Sequence, residues 1–383
     1  MLQAYLVYLL LMAALMVTWK LAASQNVTVS VTSQGFTGGV DVMLAMAATV
    51  LLYGLTMGLR DRVGGDYEGY ASYYLTLTDR EGPSEVPYEW GFYWLIRSLK
   101  AFQLPAASLF LATSTFQIFF ISAWLRRHVA IAPWYIFFFF TSLLVFESLN
   151  TIRQAMAYAV LLYAMPAIRS KCFIRYSLLV GGASLFHSSA LLFLPFYFLL
   201  DRDWLRQRRW QFALLLIMYL SASALKDALF DLLPIFSVAL NYGNYGEVQD
   251  ALFFEVEGGV PGAGLLFVLL TDAFIILLSP MLRRRFDSLG FRIYYNVYLI
   301  GALFTPIVLF ANYIPFARLL FYFLAFKPVV LAFAARGWME EATNRRWGGR
   351  MVLVLLVSGY LVWLISAISK KSAWCAPFQF IGQ

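Results

Sequence analysis

Charge is scarce in this chain. Asp, Glu, Lys and Arg make up 13% of its 383 residues, about half the share in a soluble domain, which excludes water as its main solvent. Cysteine and histidine are scarcer still, with two of each. Cys172 and Cys375 lie far apart, and neither belongs to a CxxC or a Cys/His ligand pattern, so no disulfide framework and no zinc site is implied. A dense carboxylate cluster is also missing, and the sequence calls for no metal and no cofactor. No internal repeat is visible.

Apolar residues dominate instead, at 61%, with 18% aromatics and a mean hydropathy of +0.71. Apolar windows of about 17 to 25 residues, the length that crosses a bilayer, recur at 3–19, 40–59, 106–125, 132–148, 152–168, 210–233, 262–282, 293–312, 316–335 and 350–368. Residues 174–200 form one further apolar stretch flanked by basic clusters on both sides, read as a tight hairpin turning near His187. The fold class is therefore all-α, a polytopic integral membrane helical bundle of about 12 segments in one transmembrane domain, 1–383. The first run lacks a basic n-region and is read as an uncleaved span, with Ala22-Ala23-Ser24 as the mark of a cleavable signal in the other reading.

The net charge of +8, from 29 Lys and Arg against 21 Asp and Glu, does not point to nucleic acid, because the basic residues sit in short clusters between apolar runs. Arg126-Arg127, Arg169 to Arg175, Arg202 to Arg209, Arg283 to Arg292 and Arg336 to Arg350 all fall on one side of the span list. By the positive-inside rule that side is cytoplasmic. The other face receives loops 60–105 and 234–261, the 149–151 link, the turn at His187 and the C-terminal tail. Segment 88–104 mixes Trp90, Phe92, Tyr93 and Trp94 with Arg97 and Lys100 and reads as an interfacial amphipathic helix. His128, beside Arg126-Arg127, is expected to be solvated.

Arginines on the outer face run against the insertion bias. Arg60, Arg62, Arg80, Arg97, Arg153 and Arg318 map there, and a planar guanidinium suits phosphate recognition. Headgroup snorkelling is the bland alternative, preferred for Arg80 and Arg97. Four stations stand out. In Arg62 to Tyr70, Arg62, Asp66 and Tyr70 would share a face if helical, while Gly64 and Gly65 permit a bend; a simple Arg–Asp cap is the alternative. Asn150-Thr-Ile-Arg153-Gln154-Ala155 opens a span, where free N–H groups and Arg153 would hold an anion, unless Asn150 only caps the helix. Phe186-His187-Ser188-Ser189-Ala190 puts a histidine at the hairpin turn, as a base near neutral pH or as a hydrogen-bonded structural group. Asn312 to Arg318 crosses Pro315 into the next span. Glu89, within Tyr88-Glu89-Trp90-Gly91-Phe92, adds a carboxylate beside aromatics.

In this order, the stations resemble the EpsG/Wzy family of exopolysaccharide and O-antigen polymerases. The resemblance rests on Arg62 to Tyr70, Glu89 to Phe92, Ile152 to Ala155, Phe186 to Ala190, and Arg318 with Tyr322-Phe323, over about residues 40 to 330. Gly64-Gly65 departs from the family's single glycine before Asp66. The resemblance implies a GT-C-like, metal-independent, inverting glycosyltransferase. It would join undecaprenyl-pyrophosphate-linked oligosaccharides at the outer face of the bacterial inner membrane, within membrane lipid, with a chain-length regulator protein as a further partner. Arg62, Arg153 and Arg318 would bind pyrophosphate, and Tyr70, Asn150, Gln154 and Ser188 would contact substrate. Asp66, His187 or Glu89 would take the acceptor proton, in that order of preference. A polysaccharide ligase would use almost the same chemistry, whereas a flippase or transporter should carry charged or discontinuous elements near the midplane.

Overall fold

The computed structural model describes all residues except 26–38, 79, 87, 204, 223, 226–261, 312–313, 345–347, 372–374 and 383. The described residues are helical, with no strand among them beyond one isolated bridge. Loop 234–261, expected on the outer face, lies outside the described residues.

Two compact units form, one from Met1–Leu194 with Trp338–Gln383 and one from Pro195–Gly337. The first contains α1 (Leu2–Gln25), α2 (Val40–Gly58), α3 (Tyr67–Thr76), α4 (Trp90–Ala101), α5 (Ala107–Leu125), α6 (Ala132–Thr141), α7 (Leu144–Asn150), α8 (Ile152–Arg169) and α9 (Phe173–Ser184), with the late helix α15 (Gly348–Ser369). The second contains α10 (Arg208–Leu220), α11 (Gly262–Phe286), α12 (Phe291–Ala311), α13 (Ile314–Leu324) and the first part of α14 (Lys327–Asn344). Among the described residues, six helical stretches are long and apolar enough to cross a membrane, and one bent pair makes a seventh. The protein is a polytopic helical membrane protein; the sequence figure of about 12 also counts the two arms of the hairpin and the window 210–233, part of which lies outside the described residues.

Three segments differ from their expected form. The span expected over 132–148 is broken by 63° between α6 and α7, where Leu143 takes a left-handed φ of 68°. The hairpin over 174–200 has α9 as its first arm and a 3-10 helix, Ser188–Phe198, as its second. The Tyr176 hydroxyl donates to the Phe193 carbonyl at 2.6 Å and ties the arms together. His128 is buried, its ring stacked on Trp124 at 4.5 Å, because the two are one helical turn apart.

Packing in the first unit begins with bare backbone. A Cβ on Gly54 would lie 2.7 Å from Thr115 Oγ1, and one on Gly58 would lie 2.6 Å from the Leu111 Cα. This small-xxx-small pair brings α2 against α5, as spanning helices do where no hydrophobic drive separates protein from lipid. Gly58→Leu should force the helices apart and lower the thermal midpoint by about 5 °C or more. A midpoint unchanged in detergent would show that the contact is dispensable.

Arginines stand at both ends of the unit. Arg127 and Arg175 lie over the same Tyr163 ring, at 5.2 and 5.9 Å. At the other end, the C-terminal tail bonds to the residues after α2, with Asp61 N–H donating to Gln379 O at 2.9 Å and Ile381 N–H to Leu59 O at 3.0 Å. α8, about 25 Å long by its rise per residue, has Arg153 in its first turn and Arg169 in its last. In the second unit the basic segments also gather, Arg283 bonding Asp203 and Arg292 bonding Asp287.

Candidate functional site

The tail end of the first unit collects three of the four stations. Gly58 and Leu59 finish α2, and the chain turns through Arg60 to Asp66 before α3. Arg62 has φ 52° and Gly64 φ 106°, left-handed values that glycine adopts at no cost. A Cβ at Gly64 would stand 2.9 Å from the Leu149 carbonyl, so this glycine lets the loop touch the α7–α8 corner. There Asn150 Oδ1 accepts the Asp66 N–H at 2.8 Å. α3 starts only at Tyr67, so Arg62, Asp66 and Tyr70 share no helical face. Tyr70 is buried, Asp66 is half-buried, and Arg62 makes an exposed ion pair with Glu68 at 3.1 Å.

Arg60, two residues earlier, is the buried arginine of this loop. Its Nε donates to Val63 O at 3.0 Å, Nη1 to Met57 O at 2.6 Å and Ser114 Oγ at 3.2 Å, and Nη2 to Leu149 O at 3.1 Å. Its guanidinium also lies 5.0 Å from the Phe110 ring. Burial pulls it down to about 10, still charged at neutral pH. This group builds the loop and is not open to a ligand.

Glu89 is the centre of the site. It is the residue before α4, and α4 reaches it because Gly91 has no side chain: a Cβ there would meet the Leu185 carbonyl at 2.7 Å. The Gly91 N–H donates to that same carbonyl at 2.8 Å. The contact joins α4 to the end of α9 and sets Glu89 against the hairpin turn. Its Oε1 faces His187 Nδ1 at 3.1 Å and accepts the Ser188 N–H at 3.0 Å, while Oε2 pairs with Arg153 Nη1. Arg153 lies over the Tyr88 ring at 4.5 Å, with Tyr73 edge-on to Tyr88 at 4.3 Å and Phe92 at 5.5 Å. The Tyr70 hydroxyl acts on the same guanidinium.

Burial would raise the Glu89 carboxyl, but the His187 hydrogen bond, the Arg153 charge and the Ser188 N–H outweigh it and hold it at about 2. It is therefore a carboxylate at any working pH and a weak base. Its chemical value is orientation. Because a carboxylate only accepts, Nδ1 is the donor to Glu89, and whenever the imidazole is neutral its acceptor atom is then Nε2, the arrangement in which an imidazole takes a proton. The side chains of His187, Glu89 and Arg153 are 10%, 17% and 19% exposed, so this group is mostly buried without being sealed.

The remaining expected residues divide. Asn150 bonds backbone, Gln154 is buried in the core, and Ser188 contributes its N–H with an exposed side chain. Arg318 is half-buried on α13 of the second unit. Within the described part of loop 60–105, α4 buries Phe92, Tyr93 and Ile96 and exposes Trp90 and Trp94, the two-faced character expected of it.

The EpsG family model matches residues 43–380, most of the chain. No curated protein and no solved structure matches it.

Proposed function

The chain belongs to the EpsG family, which supports a polysaccharide-polymerase type of role, and from that premise we propose that it joins lipid-linked oligosaccharide units by glycosyl transfer. The donor would be an undecaprenyl-pyrophosphate-linked oligosaccharide presented at the outer face of the bacterial inner membrane. The observation that carries this reading is the convergence of Glu89, Arg153 and His187, from separate motifs, into one bonded group.

The acceptor hydroxyl gives its proton to His187 Nε2, and its oxygen bonds to the donor's anomeric carbon. The bond from that carbon to the pyrophosphate oxygen breaks, and the electron pair leaves on the phosphate. Arg153 stabilises that growing charge, a fixed donor needing no reorganisation. Arg62 joins it in binding pyrophosphate on the strength of its motif, from an exposed position beside Glu68, and Arg318, in the second unit, is proposed for that role from its motif alone. Tyr88 and its aromatic neighbours offer faces for sugar rings. Asp66, first choice from sequence as the base, stands second to His187, whose imidazole is oriented by a carboxylate.

The test is the glycan-lipid profile of a strain lacking the protein, complemented with parent or Arg153→Ala. Single repeat units on lipid, outside, with no polymer ladder in either the deletion or the variant, support the proposal. Normal ladders with Arg153→Ala overturn the mechanism. Full-length polymer left untransferred points to a ligase, and units held on the inner leaflet to a flippase.

A further inference from the structure

The second unit holds a buried ionic centre that the site above does not use. Asp272, 1% exposed, lies well inside α11, one of the helices able to span a membrane. Its Oδ1 pairs with Lys327 Nζ at 2.8 Å and accepts the Tyr298 hydroxyl at 2.6 Å. Its Oδ2 is buried and, among the described residues, accepts no hydrogen bond.

Lys327 stands at a break. Residues Arg318–Glu341 count as one apolar stretch, yet α13 ends at Leu324 and α14 starts at Lys327. Pro328 supplies the cause: it has no N–H for the Leu324 carbonyl, and its ring crowds that oxygen. α12 supports the break from another side. Tyr298 and Gly301 lie three residues apart on one face of it, and a Cβ on Gly301 would stand 2.9 Å from Phe323 C and 3.0 Å from Leu324 N. The last turn of α13 thus rests on bare α12 backbone while Asp272 and Tyr298 hold the first residue of α14.

Stability alone does not account for this pair. Apolar residues of similar volume often serve as well as a buried ion pair, and a carboxylate oxygen without a partner weakens this one further. What an ion pair adds is one preferred geometry. We propose that Asp272, Lys327 and Tyr298 are positioning residues that fix the orientation of α13, and with it Arg318, across the break at Ala325-Phe326.

The test uses the full chain in detergent, with Asp272→Asn and Lys327→Met made singly and together. A reporter cysteine replaces the half-buried Leu319 on α13, in a Cys172→Ser background because Cys172 is exposed and Cys375 buried. Each single change strands a charged partner largely shielded from solvent and should lower the thermal midpoint by about 10 °C. The double change should recover most of that loss, yet raise the rate of thiol labelling at 319 roughly tenfold over the same reporter in the otherwise unchanged protein, since α13 then samples other orientations. A double variant that recovers its midpoint and labels at the parental rate overturns the proposal, as do single variants with parental values or a double variant as unstable as the singles. Labelling does not depend on the product made, so a failure of the polymerase reading would leave this result intact.

Discussion

Glu89→Gln should give a folded protein whose polymer output falls by about a thousandfold or more. The change keeps shape and removes charge. In the parent, Oε1 serves His187 Nδ1 and Ser188 N–H while Oε2 serves Arg153. An amide has one acceptor oxygen, so its NH2 must face either the guanidinium or the imidazole and Ser188 donors. Either way a donor meets a donor in a mostly buried place. Arg153 then lacks its counter-charge, which costs about 2 kcal/mol after discounting for partial solvent contact, and His187 is no longer held with Nε2 as acceptor. Glu89→Asp, which keeps the charge on a shorter arm, should lose only about tenfold. Acid adds a second handle. A carboxyl lowered from its ordinary 4.5 to about 2 contributes stability that is complete above 4.5 and disappears as the pH falls through 2. The parent should thus resist acid over that interval better than Glu89→Gln, measured by thermal midpoint against pH. A Glu89→Gln protein with parental ladders would remove the carboxylate from the mechanism.

The motifs were legible in sequence, but their partnerships were not. Ile152-Arg153-Gln154, Glu89-x-Gly91 and Phe186-His187-Ser188 could each be read as stations on one face, yet nothing in their spacing says that Glu89 bonds both others. That closure depends on Gly91 touching the Leu185 carbonyl, a contact across more than ninety residues. The glycines before Asp66 permit either a bend or a close approach to a ligand, and in the structure Gly64 serves a turn against Leu149. Hydropathy cannot separate Arg60 from Arg62 at the end of one span; in the structure Arg62 takes the left-handed turn and is exposed, while Arg60 is sealed in. The 63° bend between α6 and α7 has neither Pro nor Gly at Ser142-Leu143 to announce it. Other signals stand in the sequence itself. His128 lies one turn from Trp124, and Asp272 and Lys327 are isolated charges in apolar runs, which inside a membrane call for a named partner.

Arg60→Met should lower the thermal midpoint by about 6 °C, on the order of 3 kcal/mol in a chain this size, and should also erase the polymer ladder. Removing the guanidinium relieves the cost of burying a charge, but it strands Met57 O, Val63 O, Leu149 O and Ser114 Oγ in a place without water. These acceptors come from α2, the motif loop, the α7–α8 corner and α5, so four elements lose one common donor. The flanking residues also carry the C-terminal tail, through Asp61 N–H to Gln379 O and Ile381 N–H to Leu59 O. Loosening them should spread through Asn150 and Asp66 to the start of α8, where Arg153 stands. Arg60→Lys should do little better, because an ammonium cannot span acceptors arranged around a planar fork. The contrast with Arg62→Ala makes the prediction specific. Arg62 is exposed, its pair with Glu68 is worth about 0 to 1 kcal/mol, and its loss should leave the midpoint unchanged while weakening polymerisation. If both variants kept parental midpoints, the buried arginine would not be what holds the loop; if only Arg62→Ala melted early, the two arginines would have exchanged the roles assigned to them.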